Sequence, residues 1–126
     1  MYVAETETSR LWRYDVLGPG KLSRAEWPNT NGGILVAGMA GYQRFDSLAL
    51  DCAGNICVGT LIEGGVTVIS PDGQSVEHIA VPDPYCTNIC FGGTDLKTAF
   101  LTLSVYGTLV AMDWPRPGLP LHFLNQ

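Results

Sequence analysis

DSLALDCAGNICVGTLIEGGVTVISPDGQSVEHIAVP, residues 46–82, is the stretch that decides the fold. It reads as four short strands separated by three turns. Residues 47–50 form the first strand, and Asp51-Cys52-Ala53-Gly54-Asn55 turns the chain. Residues 56–60, rich in β-branched and small side chains, form the second. Glu63-Gly64-Gly65 leads into a third over 66–70. Pro71-Asp72-Gly73 is a tight-turn signature, with Pro presetting φ and Gly accepting a positive φ. Residues 76–81 make the fourth strand, closed by Pro82.

The same order returns about 40 residues later, a period in the range of propeller blades. TNICFGGTDLKTAFLTLSVYGTLVAMDWPRPGLPLHFLN, residues 87–125, predicts strands over 88–91, 99–103, 108–112 and 119–124. Pro115, Pro117 and Pro120 make the last of these irregular. The opening stretch, residues 1–27, matches only the later part of the repeat, with strands over 1–5, 10–16 and 21–27. It is expected to enter the repeat at a second strand. Residues 28–45 are read as a linker containing a short strand over 34–37.

Helical periodicity is nearly absent, so the chain reads as all-β. Four-stranded antiparallel repeats of this length, stacked radially, make a β-propeller. The expected domain is a partial propeller over 1–126 with about three blades, at approximately 1–27, 46–82 and 87–125. Such a wedge would expose apolar blade faces and strand edges, which predicts a homo-oligomer.

Composition limits the function classes. Of 126 residues, 46% are hydrophobic and 15% charged, which gives ample material for a core. A net charge of −5 argues against nucleic acid and anionic membrane surfaces as partners. No run is long and apolar enough for a spanning helix, and the N-terminus lacks a signal-peptide pattern. Cys52, Cys57, Cys86 and Cys90 do not follow zinc-knuckle spacing. Cys57 and Cys90 fall within apolar runs, which predicts buried reduced thiols and a cytoplasmic location.

Four motifs in order resemble the senescence marker protein/gluconolactonase/luciferin-regenerating-enzyme family. They are Met1-Tyr-Val-Ala-Glu-Thr with Arg10-Leu-Trp-Arg-Tyr-Asp, Asp46-Ser-Leu-Ala-Leu-Asp with Gly54-Asn55, Thr87-Asn-Ile-Cys-Phe-Gly-Gly-Thr-Asp, and Gly118-Leu-Pro-Leu-His-Phe. They match the C-terminal part of that family's six-bladed propeller. The resemblance implies a metal-dependent lactonase or related esterase, with Ca²⁺ or Zn²⁺ at the top of the central channel. It implies that the ion is held by a Glu near the family's N-terminus, an Asn from a middle blade and an Asp at the start of a later blade. Asp46 matches the last of these, as metal ligand and as catalytic proton acceptor. The other two would lie upstream of Met1. Phe45 and Ser47 replace the family's usual neighbours of that Asp and change the turn around it.

The implied activity is hydrolysis of a sugar lactone, a carboxylic-ester hydrolase whose site must be completed by further sequence or another chain. The alternative is a non-catalytic propeller fragment serving as an assembly or binding module. A strictosidine-synthase-like relative acting on other substrates is a third reading. Asp51 and Asp72 read as turn residues, and Glu5 and Glu7 as a solvated loop. Thr87 and Asn88 hold the position equivalent to Asp46 and Ser47, where hydrogen bonding at the strand entry is the expected role. His78 and His122 lie on outer strands and read as structural. Trp12, Trp27 and Trp114 read as packing residues between blades. No nucleophile elbow or phosphate loop is present.

Overall fold

The structure, a computed structural model, describes residues 1–123. Among these residues all regular structure is β. The middle repeat forms a four-stranded antiparallel sheet of β6 (Arg44–Leu50), β7 (Ile56–Leu61), β8 (Val66–Ile69) and β9 (Val76–Ile79), in that order. The Asp-Gly-Asn, Gly-Gly and Pro-Asp-Gly turns join them where the sequence places them.

The last repeat gives three strands, β10 (Cys86–Gly92), β11 (Thr98–Leu103) and β12 (Thr108–Asp113). The fourth strand expected over 119–124 does not form across 119–123, and residue 124 lies outside the described residues. Proline explains this, because Pro115, Pro117 and Pro120 have no N–H for a ladder. The segment crosses instead to the middle sheet. Cys52 N–H donates to Pro117 O at 2.8 Å, and Leu119 N–H to Leu50 O at 2.8 Å. Gly118 passes so close to the Phe91 ring that no Cβ fits there.

The first sheet orders as β1 (Tyr2–Glu5), β2 (Arg10–Arg13) and β5 (Ile34–Gly38). Its third strand comes from the stretch expected to link the repeats. Residues 21–27 do not supply it. They begin instead with β4 (Lys21–Leu22), which forms a two-stranded hairpin with β3 (Val16–Gly18). Trp27 is 85% exposed, so it does not pack between blades. Trp114 does, meeting Phe91 edge to face at 5.8 Å.

Two apolar clusters hold the sheets together. Leu11, Phe45, Ile56, Val58 and Ile69 fill the space between first and middle sheets. Cys57, Val66, Val68, Cys86, Ile89, Ala99, Leu101, Leu103 and Trp114 fill that between middle and last. Successive β7 residues point to opposite faces. Ile56 and Val58 therefore enter one cluster and Cys57 the other, and five of the six residues of β7 are buried. This explains why β7 reads as a continuous apolar run.

Candidate functional site at the entry of the inner strands

Asp46 lies on β6, the strand of the middle sheet that also contacts β1 and β10. Phe45 pairs with Thr60 and Leu48 with Val58. Asp46 and Ser47 together therefore oppose Gly59 alone, which is a β-bulge. A bulge bends its strand and re-aims a side chain, and bulges are over-represented beside active sites. Here it leaves Asp46 half-buried and Ser47 exposed.

The last repeat does the same at the equivalent point. Cys86 pairs with Leu103 and Asn88 with Thr102, so Thr87 is the extra residue of β10. The two bulged entries meet at Gly59, where a Cβ would sit 2.8 Å from Cys86 O and 3.2 Å from the Thr87 carbonyl carbon. The Cys86 thiol is pushed up to about 11 by burial, then by the negative charges of Asp83 and Asp46. The sequence equivalence of Asp46 and Thr87 thus becomes spatial proximity of their strand entries.

The carboxylate of Asp46 makes no hydrogen bond or ion pair among the described residues. Asp51, Asp72, Asp83 and Asp95 are committed to local structure. Asp51 accepts from Ala53 N at 3.0 Å, Asn55 N at 2.9 Å and Asn55 Nδ2 at 2.8 Å. Arg116 Nε donates to it at 2.6 Å. Burial works against the Asp51 charge, but these donors outweigh it and hold the carboxyl below its ordinary value. Asp72 accepts from Ser70 Oγ at 2.6 Å and Gln74 N at 3.1 Å. Asp83, fully buried, accepts from Tyr85 N at 2.7 Å and Tyr106 N at 2.9 Å. Asp95 accepts from Lys97 N at 3.0 Å. Asp51 and Asp72 are therefore turn residues, as their spacing to glycine implies.

A strap formed by residues 42–44 holds the Asp46 entry in place. Gln43 Nε2 donates to Glu63 Oε2 at 3.0 Å, while its Oε1 accepts from Glu63 N at 3.1 Å. Ser9 Oγ donates to Gln43 O from the other side. Arg44 pairs with Glu7 at 2.9 Å and lies over the Tyr42 ring, 5.5 Å from its centroid. Sequence patterns do not single these residues out. The available signal is a cation two positions before Asp46.

The remaining candidates are occupied in other ways. Glu5 accepts from Thr8 Oγ1 and from Trp12 Nε1, the latter at 3.1 Å, and these bonds lower its pKa in that order. Thr87 Oγ1 hydrogen-bonds Thr102 Oγ1 at 2.8 Å and accepts from Ser104 Oγ at 3.1 Å. Asn88 Oδ1 accepts from Ile89 N at 2.8 Å. His78 on β9 faces Thr67, with 3.4 Å between Nδ1 and Oγ1. The ring of His122 packs edge to face on Phe123 at 4.6 Å. All four cysteines are free, but Cys90 is exposed and Cys86 buried, the reverse of a simple apolar-run reading. The bulge at Thr87 sets which β10 side chains face inward.

A calcium ion takes ~6–8 oxygen ligands. No group of three or more His, Cys, Asp or Glu side chains able to hold an ion is found among the described residues. Asp46 suits a hard cation as one carboxylate, but no such group gathers around it among the described residues. No chemical step is therefore assigned to a metal. Farther along β6 and β10 lies an apolar cleft of about 360 Å³, lined by residues including Leu48, Leu50, Ile89, Phe91 and Leu119. It offers space but little polar chemistry.

Comparison with known proteins agrees with this architecture. Residues 1–105 match the family described as the SMP-30/gluconolactonase/LRE-like region. The 6-deoxy-6-sulfogluconolactonase of Pseudomonas putida is 30% identical over 119 residues, covering 93% of this chain and 39% of that protein. The diisopropyl-fluorophosphatase of Loligo vulgaris is 29% identical over 123 residues, covering 94% and 36%. The X-ray structure of an inferred gluconolactonase superposes with a TM-score of 0.68 at 22% identity, over 89% of this chain and 34% of the other. That likeness shows the fold, a partial β-propeller. The chain spans well under half the length of the relatives it matches. With five-sixths of its length matched, the chain belongs to the SMP-30/gluconolactonase/LRE-like family.

Proposed function

We propose that this chain contributes to hydrolysis of a sugar lactone, with Asp46 as its catalytic carboxylate. The observation that carries the reading is the uncommitted Asp46 carboxylate at a bulge. A carboxylate left free in a half-buried site is available to accept a proton from the water that attacks the lactone carbonyl. The lactone substrate named for the Pseudomonas putida relative supports the same substrate class. The hydrogen bonds between Gln43 and Glu63 hold the strand entry that carries Asp46.

A divalent metal, Ca²⁺ or Zn²⁺, belongs to this proposal as a cofactor that would gain one ligand here, Asp46. No second His, Cys, Asp or Glu ligand is assigned to it among the described residues. Such an ion, if bound with Asp46 as one ligand, would supply polarisation of the carbonyl. Calcium and zinc titration, with lactone hydrolysis assayed in wild type and Asp46→Ala, tests both roles. Equal behaviour of the two proteins removes Asp46 from the mechanism.

The second reading is a non-catalytic assembly or binding module. It is favoured by the lack of a multi-residue ion site among the described residues. Absence of both metal binding and hydrolysis in the full chain would favour it. Homo-oligomerisation is proposed with either reading. Leu109 is 69% exposed on the last sheet and Leu35 47% on the first, so each presents apolar surface for packing. A cytoplasmic location is proposed from the four free cysteines.

A further inference from the structure

Arg44 sits two residues before Asp46, at the same strand entry. Its guanidinium has five N–H donors arranged for carboxylate, phosphate or sulfonate. One terminal nitrogen pairs with Glu7, whose side chain is 70% exposed. Pairs with an exposed partner of this kind contribute little to stability. The Nε–H is buried and has no acceptor. The Glu7-bound rotamer therefore leaves a buried donor unmade, a state that costs free energy. The Tyr42 ring lies under the guanidinium plane and limits where it can go. Release of Glu7 would open the whole fork, with its unpaired Nε–H, to an anionic group bound beside it.

We infer that Arg44 is the specificity-determining residue of the site, selecting sugars that carry an acidic substituent away from the reacting carbonyl. This rests on the proposed lactone site at Asp46. Glu7 acts as a stand-in anion that the substrate displaces.

Calorimetric titration of the full chain with glucuronate and with glucose tests this. The two differ by a carboxylate in place of a hydroxymethyl group, and neither is hydrolysed. Chelator in the buffer keeps the carboxylate from reporting a metal. Wild type is expected to bind glucuronate about tenfold more tightly than glucose. Arg44→Gln is expected to abolish the preference, and Glu7→Gln to strengthen glucuronate binding by freeing the guanidinium. Equal affinities, no binding of either sugar, or a preference that survives Arg44→Gln would overturn the inference. Hydrolysis of an uncharged lactone is assayed separately. Its absence alongside a glucuronate preference that depends on Arg44 removes the hydrolase reading and leaves Arg44 as the anion-recognising residue.

Discussion

Gly59 of the middle sheet faces the Cys86 carbonyl so closely that a Cβ there would lie 2.8 Å from the oxygen. Gly59 is also the residue opposite the Asp46–Ser47 bulge. One small residue thus couples the geometry of the candidate carboxylate to the approach of the next blade. Gly59→Ala must push β10 away or distort β7. Overpacking of this kind costs ~1–3 kcal/mol. Urea denaturation is expected to show a lowered midpoint with an unchanged slope, and lactone hydrolysis is expected to fall beyond the loss of folded protein.

Asp46→Asn keeps the side chain's shape and removes its basicity. Its carboxylate supports no neighbouring hydrogen bond among the described residues, so thermal stability should stay near that of wild type. Hydrolysis of a sugar lactone should drop by ~10²–10⁴-fold, the usual contribution of a positioned general base. Undiminished turnover would exclude the assigned role.

Arg116 anchors the proline-rich tail to the buried Asp51. Arg116→Ala leaves that carboxylate with its turn donors only. Because the arginine is itself 34% exposed, water replaces part of the lost interaction. A destabilisation of ~2 kcal/mol is expected, within the range for hydrogen bonds to charged groups. It should appear as a lowered melting temperature, with earlier hydrogen exchange at Leu119 N–H.

Acid should unfold the protein through Asp51 and Asp83. For each, burial alone would raise the pKa. Arg116 and Asn55 outweigh it at Asp51, and the backbone N–H groups of Tyr85, Tyr106 and Val105 outweigh it at Asp83. Both folded-state values therefore lie below the unfolded ones. The stabilisation is present above the ordinary Asp value of ~3.9 and is lost as pH falls through the depressed folded values. A melting temperature that is flat above pH ~5 and drops steeply below ~4 is expected. Asp83→Asn, which cannot titrate, should flatten that drop at the cost of lower stability at neutral pH.

Thiol titration separates the cysteines. Burial, then the charge of Asp51, pushes Cys57 up to about 12, so it stays protonated and inaccessible. Cys86 is buried as well, while Cys52 and Cys90 are exposed. Ellman's reagent at pH ~8 should label two thiols quickly in the native state and four in denaturant. Rapid labelling of all four would contradict the packing between the middle and last sheets.

Leu109→Glu tests association through the open face of the last sheet. Sedimentation should show wild type larger than the variant. Identical sedimentation of the two as monomers would remove oligomerisation from the proposal.

Much of the fold is legible in the residues themselves. Asp-x-x-Gly-Asn, Gly-Gly and Pro-Asp-Gly mark local turns, and the β-branched runs between them have one good conformation each. The four strands of the middle repeat follow from these short-range preferences. The last repeat departs from the same logic because its prolines lack the donors that a fourth strand requires. Ile34–Gly38 enters the first sheet from a Gly- and Asn-rich stretch, because the free edge of β2 supplies ladder partners that local sequence does not advertise.

The chain's own letters determined the β repeat and the family motifs, since each depends on neighbours close in sequence, and Asp46 became the candidate carboxylate through the family resemblance those motifs carry. Tertiary structure alone decided the paired bulges at Asp46 and Thr87, the contact of Gly59 with Cys86, and the arrangement of Arg44 between Glu7 and Tyr42. Those depend on how two separately formed sheets approach each other. That approach is set by side-chain volume, backbone clearance and hydrogen bonds between residues distant in the chain, which no local pattern encodes.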